Sequence, residues 1–160
     1  MHKFVNAAAW GSVRKTVAVV EILGASWSVL AAVHLFLTTP GILIPWSFLI
    51  ITLGWFSLVG LAGVLLLRDK RSGWTLSVLA QALQLLQITA GSVAFRLLAG
   101  PQATVSLVEG HLRWFVGMTS SIGLWREQGD PALIAVNFVP LLLLGALAQR
   151  PQALAQAHAA

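Results

Sequence analysis

The sequence predicts an all-α membrane protein, a four-transmembrane-helix bundle with both termini cytoplasmic, and three observations carry that expectation. The 160-residue chain is 58% hydrophobic and only 9% charged, a composition that would leave a soluble domain of this size with a largely apolar surface. Its apolar residues gather into four long runs, each near the roughly 17 to 25 residues a helix needs to cross a bilayer. Its few cations are divided unequally among the connections.

These runs divide one integral membrane domain, 1–160, into spans at 17–37, 48–67, 74–98 and 132–148, an outer segment at 99–130 and a cytoplasmic tail at 149–160. Lys3, Arg14 and Lys15 precede the first span, Arg68, Lys70 and Arg71 fill the second connection, and Arg150 follows the fourth span. Connections rich in Lys and Arg stay on the cytoplasmic side, so these seven mark the inner face, and Arg96, Arg113 and Arg126 the outer. A multi-pass protein of the cytoplasmic (inner) membrane is expected. The first run is too long for a signal-peptide core and carries Glu21, so no cleaved leader is expected. Trp10 and Trp74 fall at the inner headgroup level and Trp46 at the outer, while Trp27 and Trp55 lie within spans as packing residues. Residues 1–11 suit a short helix lying on the inner leaflet, and the Ala- and Gln-rich tail a frayed end.

The outer segment is long enough to carry structure of its own. Residues 104–108 alternate weakly, and Leu112, Trp114, Val116 and Met118 recur with period two. A hairpin turning near 119–121 is one reading, and a loop anchored on the headgroups by Trp114 and Trp125 is the other. Residues 133–138 also have strand character. Asp130 and Pro131 read as the N-cap and first residue of the fourth helix, and Pro140 then kinks that helix unless it begins later.

Helical spacing at about 100° per residue places Glu21, Gly24, Ala25, Ser28 and Ala32 on one face of the first span. In the third span Ser77, Gln81, Gln84, Gln87 and Gly91 make a drifting stripe. Small residues let helices approach, and Ser or Gln finds there the hydrogen-bond partner that lipid lacks, so the two stripes are expected to meet as a packing seam. Glu21 and Gln81 lie at similar depth, about 10 Å inside the inner boundary, which suits a pair. Otherwise Glu21 snorkels or pairs with Arg14 or Lys15. A carboxylate within a span also reads as a proton or cation site.

His34 lies on another face of the first span. The stretch VHLFLTTP at 33–40 resembles that around the pigment-ligating histidine of purple-bacterial antenna polypeptides, and the resemblance implies a bacteriochlorophyll magnesium on His34. It covers less than a dozen residues; the antenna family has a single span, and where it has a small residue four positions before the histidine this chain has Leu30. Haem ligated by two histidines needs a second inward one, and only His111 on the outer segment is placed for it. A hydrogen-bonded or interfacial histidine is the alternative. On the outer segment Glu109, His111 and Arg113 would share one strand face, with Trp114, Trp125 and Arg126 nearby, as a recognition surface for an anionic headgroup or small polar ligand, or as a solvated loop with local ion pairs.

Other chemistry is excluded by what the sequence lacks. There is no cysteine, and no metalloprotease, nucleophile-elbow or phosphate-loop motif. No catalytic or metal site and no resident cofactor is expected beyond the His34 reading. The net charge of +5 sits at span ends and not in a basic stripe, which argues against nucleic acid. The expected function is a non-enzymatic subunit of a homo-oligomer or larger membrane complex. The alternatives are a small channel or proton-coupled carrier using Glu21 with Gln81, Gln84 and Gln87, and a pigment- or haem-binding subunit through His34.

Overall fold

Two of the four apolar runs fold as long helices, and two change from helix to strand or from strand to helix along their length. A computed structural model describes residues 7–38, 46–90, 93–123 and 133–149. Its elements in chain order are α1 (Ala7–Thr38), α2 (Trp46–Leu67), α3 (Arg71–Leu85), β1 (Leu86–Ala90), β2 (Val93–Val108), β3 (His111–Gly123), β4 (Leu133–Asn137) and α4 (Phe138–Leu147). An all-α bundle of four spanning helices is therefore not the fold. Among the described residues only α1 and α2 are long and apolar enough to cross a membrane.

Small residues set how α1 and α2 pack. A Cβ at Gly63 would stand 2.8 Å from the Ala18 carbonyl, and one at Gly60 3.2 Å from the Ala25 methyl, so both glycines are sites of close helix approach. The chain then turns through Asp69, whose φ is 58°. A Cβ at Gly73 would fall 2.2 Å from the Leu66 nitrogen, which confines this tight return to glycine. Residues 7–11 continue α1, so no separate surface helix forms there. Buried Trp10, Val17, Ala18, Leu66 and Leu147 make one apolar cluster, and Ala25, Val59 and Ala80 a second.

The third run leaves helix at Leu85 because β1 finds backbone partners on both sides. Residues 86–89 pair antiparallel with β4, and Ile88, Thr89 and Ala90 pair with β2. Residues 104–108 of β2 pair with β4, which closes the ladder through β1, β4 and the two ends of β2. To meet both, β2 turns between 96 and 103, where Gly100 adopts a φ of 103°. On its other side β2 pairs along thirteen residue pairs with β3. The fourth run follows the same logic. β4 occupies its first half, and α4 begins only at Phe138, with the Asn137 side chain accepting from the Val139 amide at 3.2 Å. Pro140 then lies in the first helical turn, where the amide it lacks would have no intrahelical partner. The expected N-cap at Asp130 lies outside the described residues, as do Trp125, Arg126 and the tail from Arg150 on.

Antiparallel register puts paired residues on the same face of a sheet, and here the two faces have opposite character. One face carries Leu86, Ile88, Phe95, Leu97, Val105, Leu107, Leu112, Trp114, Val116, Met118, Ile134 and Val136, and none of these is buried. The other carries Gln87, Thr89, Gln102, Thr104 and Asn137, all buried. There the polar face is turned inward and the apolar face outward, whereas toward the β2–β3 turn His111, Arg113 and Phe115 of the polar face are exposed as well.

Candidate functional site: a buried polar layer between helices and sheet

The polar stripes of α1 and α3 converge at Glu21. Its carboxylate is 2% exposed and accepts from Ser77 Oγ at 2.7 Å and from Gln81 Nε2 at 2.9 Å. Ser77 and Gln81 lie one turn apart on α3, which presents both donors to the two carboxylate oxygens. Arg14 instead forms an ion pair with Asp69 in the α2–α3 turn. The two bonds to Glu21 from one face of α3 fix the rotation of α1 against α3.

One turn further along, the seam meets a partner that the helical periodicity did not reveal. Gly24 faces β2 rather than a third spanning helix. A Cβ there would stand 2.9 Å from the Ala99 carbonyl and 3.0 Å from Gly100 Cα, while one at Gly100 would stand 2.6 Å from Gly24 Cα. Two glycines thus let a helix backbone touch a strand backbone. Gln84 accepts from the Ala99 amide through Oε1 at 2.8 Å and donates through Nε2 to the Ala80 carbonyl at 3.3 Å. Asn137 Oδ1 takes the Ala103 amide at 3.1 Å. These side chains stand in for strand neighbours where β2 passes from β1 to β4, as buried amides require.

Gln87 is buried in β1, and its Nε2, Ser28 Oγ and Gln102 Oε1 have no hydrogen-bond partner among the described residues. Gln102 Nε2 donates to Thr104 Oγ1, and the Arg96 guanidinium donates to Thr89 Oγ1 at 3.1 Å. Ala32 is half-buried, and Gly91 lies outside the described residues. Thr89, Gln102, Thr104 and Asn137 were missed as members of this layer. Their signal was polar residues at alternate positions in otherwise apolar runs, which a helical reading scatters.

The remaining predicted residues are not gathered into a site. His34 is exposed on α1, and its carbonyl accepts from Thr38 Oγ1 at 2.8 Å. Glu109 lies in the β2–β3 turn with a φ of 50° and so leaves the strand face shared by His111 and Arg113, while Trp114 points to the opposite, apolar face at 80% exposure. Among the described residues no group of three or more His, Asp or Glu side chains could hold a metal ion. Trp46 meets Phe36 with ring centroids 5.1 Å apart, and Trp74 Nε1 donates to the Leu147 carbonyl at 3.1 Å, tying the start of α3 to the end of α4. Comparison with protein-family models, curated proteins and solved structures finds no match.

Proposed function

We propose that this protein is a membrane-embedded α/β subunit of a larger assembly, with a structural rather than an enzymatic role. The observation that carries the reading is the inverted sheet. Its apolar face is unburied along the sheet, while the polar face is buried at Gln87, Thr89, Gln102, Thr104 and Asn137 and exposed only toward the β2–β3 turn, the alternation of a membrane strand rather than of a soluble one. The helices point the same way. Only 33% of the most apolar stretch of α1 and of α2 is buried, unlike the core helix of a soluble protein, and Leu23, Trp27, Leu30, Ile50 and Leu61 are all exposed.

Lipid explains the composite runs too. Hydrocarbon demands that backbone groups be paired, which a helix does within itself and a strand does only where both of its edges have partners. Orientation with α1 entering from the cytoplasm follows from the cation distribution, and Arg14, Asp69, Trp74 and Leu147 gather at one end of the molecule. A structural role for the polar layer is supported by Glu21, whose two oxygens are both occupied by donors from α3.

The test is extraction of the full chain from native membranes. It should remain in the pellet after alkaline carbonate and leave only with detergent. Release by carbonate or urea into a soluble, folded form would refute a membrane-embedded protein.

A further inference from the structure

We propose that β3 pairs edge to edge, antiparallel, with β3 of a second copy of this chain, about a two-fold axis at Val116. The proposal rests on the membrane reading above and names the partner of that assembly. Among the described residues β3 is the outermost strand, paired with β2 on one side and with no strand on the other. Thirteen residues of strand therefore present a row of outward amides and carbonyls.

Depth makes that edge significant. Thr119 pairs with Gly100, which touches Gly24 in the middle of α1. Gly24 lies fourteen positions before the end of α1 at Thr38, about 21 Å at 1.5 Å per residue. A strand one spacing away, about 4.8 Å, lies at the depth of hydrocarbon if α1 spans. Open sheet edges are not tolerated facing lipid, and a row of unpaired strand groups is a template for another strand.

The partner strand must continue both faces of the sheet, the apolar one with Trp114 and Val116 and the opposite one with Arg113, Phe115 and Gly117. β3 meets that condition by itself. A two-fold axis on a residue pairs even positions with even ones, so Leu112, Trp114, Val116 and Met118 stay on the apolar face in both copies. Centring on Val116 also matches side-chain size. Phe115 falls opposite the partner's Gly117, and the Phe115 ring already lies over Gly117 of its own strand, 2.8 Å from where a Cβ would stand. Trp114 falls opposite the partner's Met118 and Arg113 opposite the partner's Thr119, so no two cations meet. Centring on Arg113 would set the two guanidinium groups face to face, which is destabilising.

The chain has no cysteine, so single substitutions report cleanly. Full-length Val116→Cys in liposomes, treated with a short bis-maleimide, should give a product of twice the chain's mass. A mixture of Trp114→Cys and Met118→Cys copies should give more of it than either alone. Leu112→Cys should give little, because the two copies of that residue lie about 27 Å apart along the paired strands. Leu30→Cys, on the exposed face of α1, measures random collision. A Val116→Cys yield no higher than that of Leu30→Cys, in protein that still resists carbonate, would overturn the pairing and leave the membrane reading intact. Release by carbonate overturns the membrane reading itself. Sedimentation of the unsubstituted chain in mild detergent, independent of any variant, should give a dimer, and a strict monomer refutes the proposal.

Discussion

Glu21 is held by two donors from one neighbouring helix, and substitution there separates charge from hydrogen bonding. Glu21→Gln keeps a side-chain oxygen for Ser77 or Gln81 while deleting charge, so the thermal midpoint in detergent should move only slightly. Glu21→Leu leaves both donors buried without an acceptor, at about 1–3 kcal/mol for each, and should lower the midpoint clearly. Proton flux in liposomes that is present in the parent and lost in a folded Glu21→Gln protein would give the carboxylate a transport role instead. Gly24 allows a parallel test. Gly24→Ala sets a methyl 2.9 Å from the Ala99 carbonyl and should destabilise by about 1–3 kcal/mol, the usual cost of overpacking. Gly145 on α4 has nothing within 4 Å of the same point, so Gly145→Ala should be neutral or stabilise by up to about 1 kcal/mol. The polar identity of this layer was legible in the sequence, because Glu, Gln and Ser are conspicuous among aliphatic residues. What Gly24 touches was not, since a small residue announces close approach without naming the element that approaches.

At the scale of elements, the junctions between helix and strand carry the fold. Asn137 caps α4 and also takes the Ala103 amide. Asn137→Ala should cost about 1–2 kcal/mol for the cap and more for the exposed strand amide, read as a lower unfolding midpoint and faster amide exchange at residue 103. The two faces of β3 should differ as sharply. Trp114→Lys puts a charge on the apolar face between the turn and mid-depth, a change worth between about 1 kcal/mol near the interface and about 2–4 kcal/mol at the midplane, and should reduce the carbonate-resistant fraction. Arg113→Lys, one residue away on the polar face, should leave that fraction unchanged. The period-two pattern of β3 was legible, as was the strand character of 133–138. The turn was misplaced, because Thr119, Ser120 and Ser121 look like turn residues. In the structure they pair with Gly100, Ala99 and Leu98, where the sheet touches α1, and the chain reverses at Glu109 and Gly110, both with positive φ.

For the whole molecule, the gathered ends and the cation asymmetry make one prediction about orientation. Cysteines placed at Lys70 and Gln149 should react with an impermeant maleimide from the cytoplasmic side, and one at Gly110 from the opposite side. Position 70 reacting only from outside would reverse the orientation.

The sequence by itself determined where the apolar material lies, which residues are polar within it, and which connections are basic. Those are properties of composition along the chain, and the preference of a side chain for lipid or water needs no fold to express it. Only the tertiary structure decided how residues 86–108 and 133–137 satisfy their backbones. An apolar run of that length can bury its amides within a helix or across a ladder, and the hydrophobic count is the same for both. The choice fell to strand because β4, from a distant part of the chain, pairs with both β1 and β2, and pairing with a distant segment leaves no local periodicity to read.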